Sequence, residues 1–230
     1  QAGGPSRPCH LPAEPVPEGL AWDLWLGPAP LAPYNVQRCT GSSSSSYGGW
    51  RAWRDYSGGP MTSYGVTFVD TAQWVLGLDE TGPVEIAPPA GKDHPALTWR
   101  YANGVTIING TGPKGSPVEI SGSAGVIGLG LGRVGFQTWP AELASNPPAD
   151  NGLRYRPGDL FLDFLDCIKS RGRPISDVAA ACRSVTVCHL ANIAVWLNRP
   201  LKWDPVKEEI VGDAEASRWL DRPRRSPWRV

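Results

Sequence analysis

The chain has 230 residues, of which 41% are hydrophobic, and its 22 basic side chains balance 22 acidic ones. This length and composition suffice for one sizeable hydrophobic core. A formal net charge of zero argues against a nucleic-acid partner, because phosphate binding needs a clustered excess of Lys and Arg.

The C-terminal segment carries the main local surplus of basic residues. These residues, Arg222, Arg224, Arg225 and Arg229, follow acidic side chains at 208–221, so we predict a mixed-charge surface and not an anion site. Apolar runs stay below the ~20 residues of a membrane span, so no membrane span is predicted. The chain begins with Gln1 and not Met, which favours an exported protein, periplasmic or extracellular, over a cytoplasmic one.

The five cysteines lack the CxxC spacing of a zinc site, so no metal site is predicted. Cys167, Cys182 and Cys188 lie in apolar helical segments and are predicted to be buried thiols. Cys9 and Cys39 lie in irregular sequence, where they could form a disulfide if the protein is exported.

The N-terminal part reads as an arm. We predict an extended, proline-rich arm over residues 1–40 and one domain with a C-terminal tail over residues 41–230. Trp22 and Trp25 lie in a short amphipathic turn and are the predicted anchors of the arm. The serine run at 41–49 predicts a mobile loop.

A tight glycine turn, Gly58-Gly59-Pro60, precedes a predicted helix with an apolar face over residues 62–76. Such a corner exposes backbone amides, and the helix dipole favours negative charge there, so the position suits chemistry. The first turns nevertheless carry Ser63 and Thr67, where an acid–base pair would be expected.

Short alternating apolar runs from residue 84 to about residue 140 predict a mainly antiparallel sheet. Asn103-Gly104 separates two of these runs and predicts a tight hairpin. The glycines of GLGLGRVG lie within this strand region with no helix after them, so no dinucleotide-binding loop is predicted.

Helices return in the C-terminal half, at 160–171 and 177–197, the second capped by Ser176 or Asp177. His189 falls on an apolar side of the second helix and is interpreted as a core histidine and not as a ligand. A short acidic helix and an extended end complete the chain. This order of elements predicts an α+β fold, with an open, mainly antiparallel sheet and helices packed on one face.

Several long stretches resemble, in order, the C-terminal half of the glucose-fructose oxidoreductase, inositol dehydrogenase and MocA-like (Gfo/Idh/MocA) family, and its bacterial branch in particular. They include GGWRAWRDYSGGPMT, TWRYANGVT, FLDCIKSRGRPISDV and LKWDPVKEEIVGDAEASRWLDRPRRSPWRV. The resemblance implies an enzyme of two domains, of which an N-terminal Rossmann domain binds NAD or NADP and supplies a catalytic lysine. The C-terminal domain covers the nicotinamide, contacts substrate and commonly forms the subunit interface. The present chain resembles that second domain alone.

The family frame after the glycine turn is Asp-x-Gly-x-His-x-x-Asp, in which the His shuttles the proton as hydride leaves the sugar carbon. The same positions here are Ser63, Gly65, Thr67 and Asp70, so the frame is kept without its first Asp and its His. A threonine hydroxyl cannot hold a proton near neutral pH as imidazole does. The resemblance therefore assigns no catalytic residue to this chain.

The candidate pocket residues are Trp53, Arg54, Tyr64, Thr67 and Asp70. Trp53 and Arg54, with their neighbours Asp55 and Tyr56, fit either the former substrate side or a loop anchored against the sheet. Asp70 fits a structural role, and Ser63 and Thr67 fit local hydrogen bonds at a helix start.

Leu160 and Phe161 stand near the helix start where the family often carries histidines. This difference predicts apolar packing in place of a polar pocket.

Two function classes follow from the resemblance. In the first, the chain is a non-catalytic descendant that oligomerises or binds a carbohydrate-like ligand. In the second, it is a fragment or separate subunit of an NAD(P)-dependent oxidoreductase acting on a carbohydrate. No cofactor is predicted for this chain alone, and NAD(P) would enter only with a Rossmann domain.

A homo-oligomer through the sheet face is the predicted assembly. Apolar residues of the strand region occur at both parities of the alternation: Val105, Ile107, Ile108, Val126, Ile127, Leu129 and Leu131. A solvated sheet face does not carry so many, so they indicate an interface. Loss of the Rossmann half would also uncover Tyr64 and Phe68, and the tryptophans of the arm and tail could reach a neighbouring copy.

Overall fold

The computed structural model describes residues 10–40, 49–110, 112–130, 135–145 and 159–228. Its helices are α1 (Trp22–Leu26), α2 (Val36–Cys39), α3 (Val66–Val75), α4 (Leu160–Ser170), α5 (Val178–Leu197) and α6 (Ala214–Ser217). A π-helical turn, Met61–Gly65, leads directly into α3, and 3-10 turns occupy Gly49–Ala52 and Ala141–Ala144. The strands are β1 (Glu85–Ala87), β2 (Leu97–Arg100), β3 (Thr106–Asn109), β4 (Val118–Gly122), β5 (Gly125–Leu129), β6 (Phe136–Trp139), β7 (Leu201–Asp204) and β8 (Glu209–Ile210). This order confirms the predicted α+β class.

The chain forms two compact units, and the first comprises residues 1–66, 83–108 and 188–230. Its sheet has the strand order β3-β2-β1-β7-β8. Residues opposite each other in register share a face of a sheet, and the register places one set of large apolar residues together. That set is buried and forms the core of this unit: Ile86, Leu97, Trp99, Leu201, Trp203 and Ile210.

The other face of the five-stranded sheet is polar. Glu85 stands opposite Arg100 and forms an ion pair of 2.6 Å with it. Lys202 stands opposite Glu85 on its other side, and Lys202 and Glu209 are exposed. This alternation is typical of an antiparallel sheet with one face in water. The surplus of apolar residues predicted for an open sheet face is therefore not found on β1, β2, β7 and β8, whereas Ile108 of β3 is 62% exposed.

The second unit comprises residues 67–82 and 109–187 and contains a separate antiparallel sheet of order β4-β5-β6. Its register places Val118, Leu129 and Phe136 abreast, and Ile120 beside Ile127, so this small sheet has one apolar face. The expectation of one sheet from residues 84–140 was wrong, because these strands divide between two sheets. Alternation along a strand defines its faces but does not specify its pairing partner.

The C-terminal strands β7 and β8 are a second difference from the expected fold, because the sequence after α5 was interpreted as a tail. β7 pairs with β1, so Leu201 joins Ile86 across more than a hundred residues of sequence. The short acidic helix, α6, is present and is capped by Asp213, which accepts a hydrogen bond of 2.9 Å from the Ala216 amide.

Local signals agree with the structure. The hairpin between β2 and β3 closes at Asn103-Gly104, where Gly104 has a positive φ of 89° and the Tyr101 amide donates to Val105. Asp177 caps α5 by accepting a hydrogen bond from the Ala179 amide. The residue that ends α4 in the left-handed conformation is Arg171, with φ 57°.

Within the described residues, α5 is the one helix long and apolar enough to cross a membrane by length and composition. Arg183 and His189 interrupt the apolar run of this helix. The signal is weak, because core helices have the same character. Residues 190–194 of this helix are fully or almost fully buried within the first unit. The absence of a membrane span stays a prediction.

The arm and the C-terminal segment contact each other within the first unit. Trp22 stacks on Trp25 with ring centroids 4.7 Å apart, and Trp25 meets Tyr56 edge-on. Arg225 forms an ion pair of 2.7 Å with Asp23. The arm tryptophans thus have partners in their own chain. The serine run at 41–48 lies outside the described residues.

Candidate functional site

The glycine corner is held in a fixed conformation from both sides. Gly59 has a positive φ of 67°, which glycine adopts without steric cost. The Ser57 hydroxyl accepts a hydrogen bond of 2.9 Å from the Gly59 amide. From α5, the buried Asn192 side-chain amide donates to the Gly58 carbonyl at 2.8 Å. The predicted turn is therefore confirmed, and Asn192 is the residue that ties it to the core.

The helix after the corner begins with the π-helical turn, a form that is frequent at functional sites. Ser63 and Thr67 are exposed, and the Thr67 carbonyl accepts the Thr71 hydroxyl at 2.8 Å. Tyr64 is 57% exposed. The hydroxyls of Ser63 and Thr67 do not titrate near neutral pH, so these two residues offer hydrogen bonds and no proton carrier.

Asp70 lies about one helical turn after Thr67, and its hydrogen-bond partner belongs to the same, second unit. Its carboxylate accepts a hydrogen bond of 2.7 Å from the Ser184 hydroxyl, and Ser184 is only 1% exposed. Burial raises the pKa of Asp79, and the nearby carboxylates of Asp70 and Glu80 raise it further. Asp70 thus belongs to an acidic cluster that links α3 to α5, as a structural role requires.

Arginines of the second unit partly neutralise this acidic cluster. Arg173 forms ion pairs with Glu80 at 2.9 Å and with Asp177 at 3.0 Å. Arg183 donates to the Asp79 carbonyl at 3.2 Å. The groups are polar and mostly half-buried or exposed, so the cluster is a charged network that holds the end of α3.

Trp53 and Arg54 lie in the first unit, before the corner. The Arg54 guanidinium lies 4.3 Å from the centre of the Trp219 ring and 5.6 Å from that of Trp196. The Trp53 indole nitrogen is buried without a hydrogen-bond partner among the described residues. These contacts are those of an anchored loop. Of the five candidate pocket residues, Trp53, Arg54 and Tyr64 belong to the first unit, and Thr67 and Asp70 to the second.

Helix α4 differs from the expectation of apolar packing at Leu160 and Phe161, which are 58% and 81% exposed. The exposed apolar surface extends along the helix to residues that sequence reasoning did not single out. Phe161, Phe164, Leu165 and Ile168 are 81%, 55%, 50% and 47% exposed, and we call these four residues the α4 stripe. Their spacing, i, i+3, i+4 and i+7, is that of one helix face, so the pattern could have been found in the sequence.

His189 and Cys182 also differ from their predicted burial. His189 is exposed, although Cys188 and Leu190 on either side of it are fully buried. Although part of the His189 side chain is exposed, the surrounding protein desolvates its ring, and this desolvation lowers the pKa of His189. The nearby Arg222 guanidinium lowers it further. Cys182 is exposed because it lies on the solvent side of the first half of α5, whereas Cys167 and Cys188 are buried as predicted.

The described residues contain no group of three or more His, Cys, Asp or Glu side chains that could hold a metal ion. Cys39 is half-buried, and burial raises the pKa of its thiol. Its predicted disulfide partner, Cys9, lies outside the described residues, as do residues 131–134, which include Leu131 and half of the rejected glycine-rich loop.

Comparison with known proteins finds one family model, that of the C-terminal alpha/beta domain of the Gfo/Idh/MocA oxidoreductase family. It matches residues 6–230. No significant match was found among curated proteins.

Proposed function

The chain belongs to the Gfo/Idh/MocA oxidoreductase family as its C-terminal domain, and we propose that it is a non-catalytic member that acts by binding. Its partners would be further copies of itself or a carbohydrate-like ligand. One observation carries this proposal. The glycine corner is intact and tied to the core by Asn192, yet Ser63 and Thr67 occupy the helix start where the family frame has its acid–base pair.

The remaining polar groups near the helix start support the same conclusion. Asp70 accepts a hydrogen bond from the buried Ser184 hydroxyl and belongs to a network of charges. Arg54 lies against two tryptophan rings. A general base must be free to reach the proton that it removes, whereas Asp70 and Arg54 are engaged with Ser184 and with the two tryptophan rings.

We infer that this chain alone binds no NAD(P) tightly. The sequence has no glycine loop that opens a helix after a strand, which is how backbone amides hold a pyrophosphate. The glycine-rich segment GLGLGRVG does not meet this requirement. Gly130 directly follows β5 and Gly135 directly precedes β6, so a strand and not a helix comes after this segment.

In the second candidate function, the chain is a fragment or a separate subunit of an NAD(P)-dependent oxidoreductase that acts on a carbohydrate. The exposure of Tyr64, at 57%, favours it, because the resemblance implies that a Rossmann domain packs near this position. In that case the cofactor and the proton carrier would both come from the other domain.

The test is a dehydrogenase assay of the purified chain with NAD or NADP and a panel of sugars and inositols. We expect no reduced nucleotide above the protein-free control. The double variant Ser63→Asp/Thr67→His restores the family residues and should also be inactive. The reason is that the nucleotide that accepts the hydride is bound by the family's Rossmann domain, and the matched residues 6–230 correspond to the C-terminal domain. Turnover by the unmodified chain would contradict the proposal.

Calorimetry separates the two candidates. Micromolar binding of NAD or NADP to this chain would favour the oxidoreductase, whereas binding of a sugar without either nucleotide would favour the non-catalytic role. The same titrations are repeated with Thr67→Val, which removes the exposed hydroxyl with little change of volume. If the affinity of this variant for the sugar is several-fold lower than that of the unmodified chain, the sugar binds at this corner.

A further inference from the structure

The first unit brings together two tryptophans and an arginine from three separate segments of the chain. Trp196 lies near the end of α5 and Trp219 follows α6, and their ring centroids are 5.6 Å apart with the planes tilted by 39°. The Arg54 guanidinium lies over the Trp219 ring, 4.3 Å from its centre. Both tryptophans are half-buried, so part of each ring is open to solvent.

The stacked Arg54 keeps its hydrogen-bond donors available. Stacking on an aromatic ring occupies the flat face of a guanidinium, whereas its N–H donors lie around the edge. Among the residues that the structure describes, the Arg54 side chain donates no hydrogen bond and forms no ion pair, and its contacts are those with Trp196 and Trp219. The tryptophans therefore hold this guanidinium in place while its edge stays free to meet an acceptor.

Arg222 adds a second positive charge close to the first. Part of its side chain is exposed, yet the surrounding protein desolvates the guanidinium, and this desolvation lowers the pKa of Arg222. The positive charge of Arg54 lowers this pKa further, and the Asp55 carboxylate has a smaller, opposing effect. Within the described part of the chain, the Arg222 side chain has no ion-pair partner. Two guanidiniums that repel each other thus share one nearby carboxylate, which leaves an excess of positive charge.

The other arginines of the C-terminal segment differ from Arg222. Arg224 forms an ion pair of 2.6 Å with Asp221, and Arg225 forms one of 2.7 Å with Asp23. Their surroundings are those of the mixed-charge surface predicted for the whole segment. Arg222 instead lies near Arg54, on the side of the molecule where its charge also lowers the pKa of His189. The uncompensated charge is therefore concentrated beside the two tryptophans.

We propose that Arg54 and Arg222 bind the carboxylate of an acidic sugar, a hexuronate, whose ring packs against Trp219 and Trp196. This inference rests on the proposed binding function and names the class of its ligand. A guanidinium edge matches a carboxylate with two parallel hydrogen bonds. The apolar face of a pyranose ring suits an exposed part of an indole, and the sugar hydroxyls can stay in water.

The two halves of this cluster exclude simpler ligands. A neutral sugar would cover the rings but leave both guanidiniums without a counter-charge. A small anion such as acetate would pair with the guanidiniums but leave the rings uncovered. A hexuronate satisfies both because its carboxylate is attached to the sugar ring itself.

The experiment is calorimetric titration of the purified chain at about pH 7 with glucuronate and galacturonate, and with glucose, galactose and acetate for comparison. We expect at least one hexuronate to bind with a Kd below about 1 mM. The neutral sugar of the same configuration and acetate should each bind at least about tenfold more weakly, because each lacks one of the two contacts.

Variants assign the binding to the two arginines. Arg222→Gln removes the charge of a partly exposed side chain and should raise the Kd for the hexuronate about 10- to 100-fold, as expected for a hydrogen bond to a charged group. Arg54→Lys keeps the charge but loses the planar edge, and should raise the Kd about tenfold. Arg218→Gln is the matched control, because it removes the same charge at an exposed position of the same segment and should change the Kd less than about twofold. Circular dichroism checks that each variant is folded.

Three results would overturn the inference: no binding of either hexuronate at about 10 mM, a Kd that is unchanged in folded Arg222→Gln, or equally tight binding of the neutral sugar or of acetate. A hexuronate whose affinity falls in Thr67→Val but not in Arg222→Gln binds at the glycine corner, which overturns this inference and leaves the proposed binding function standing. Dehydrogenase turnover would contradict the non-catalytic role whatever the effect of Arg222→Gln, so the two failures are distinguishable.

Discussion

Replacement of Asn192 by Asp should destabilise the chain strongly at neutral pH. Asn192 is fully buried, and its amide nitrogen donates to the Gly58 carbonyl at 2.8 Å. Asp has the same shape, but its ionised form has no donor for this carbonyl. Its oxygens would be no better placed, because the Asn192 Oδ1 is buried without a partner among the described residues. An ionised carboxylate at this position would therefore be a buried, unpaired charge.

The magnitude follows from the cost of that charge. Leaving a buried charge uncompensated costs about 3–5 kcal/mol. The folded protein avoids part of this cost by protonating the carboxyl, so the pKa of Asp at this position rises above its unfolded value of about 3.9. The folded state then binds more protons than the unfolded state, and stability falls as pH rises from about 4, by about 1.4 kcal/mol per pH unit, until the folded pKa is passed. Below about pH 4 the protonated carboxyl can donate to Gly58, and little stability is lost.

The assay is urea unfolding followed by tryptophan fluorescence at about pH 4 and pH 7. Asn109→Asp is the control, because it makes the same chemical change at an exposed strand position and should cost less than about 0.5 kcal/mol at either pH. Asn192→Leu should cost only about 1 kcal/mol, because it strands the Gly58 carbonyl but also removes the unpaired oxygen. If Asn192→Asp is as stable as the control and shows no dependence on pH, the description of the corner is wrong.

Three further predictions concern the corner, the acidic cluster and α4. A Cβ on Gly58 would overlap the Thr62 side chain, so Gly58→Ala should lower the free energy of unfolding by about 1–3 kcal/mol, and adding Thr62→Ala should restore most of it in a double-mutant cycle. Asp79→Asn should stabilise the chain at pH 7 by up to about 1 kcal/mol. The pKa of this half-buried carboxyl is raised in the folded protein, so its ionisation removes stability as pH rises from about 3.9. Urea unfolding at neutral and at low pH checks this, because the gain must vanish at low pH. Asp159→Ala removes the side-chain oxygen that accepts hydrogen bonds from the amides of Phe161 and Leu162, so thermal unfolding should show a loss of about 1 kcal/mol, and an unchanged melting temperature would contradict this cap.

The sequence alone determined those features whose causes lie within a few residues. Asn103-Gly104 specifies its hairpin because a tight turn needs a positive φ at glycine. Asp177 begins α5 because its carboxylate satisfies an amide of the first turn. The glycine corner and the exchange of the family Asp and His for Ser63 and Thr67 are equally legible, because they depend on residue identity at fixed spacing.

Only the tertiary structure decided pairings and exposures. Leu201 joins Ile86 in the sheet, and Ser184 binds Asp70, across more than a hundred residues in each case. Strand alternation and a serine within a helix are compatible with many partners, so neither contact could be assigned from the sequence. The exposure of the α4 stripe is of the same kind: the helical spacing of its apolar residues specifies a face, but whether that face meets the core or the solvent depends on everything packed around the helix.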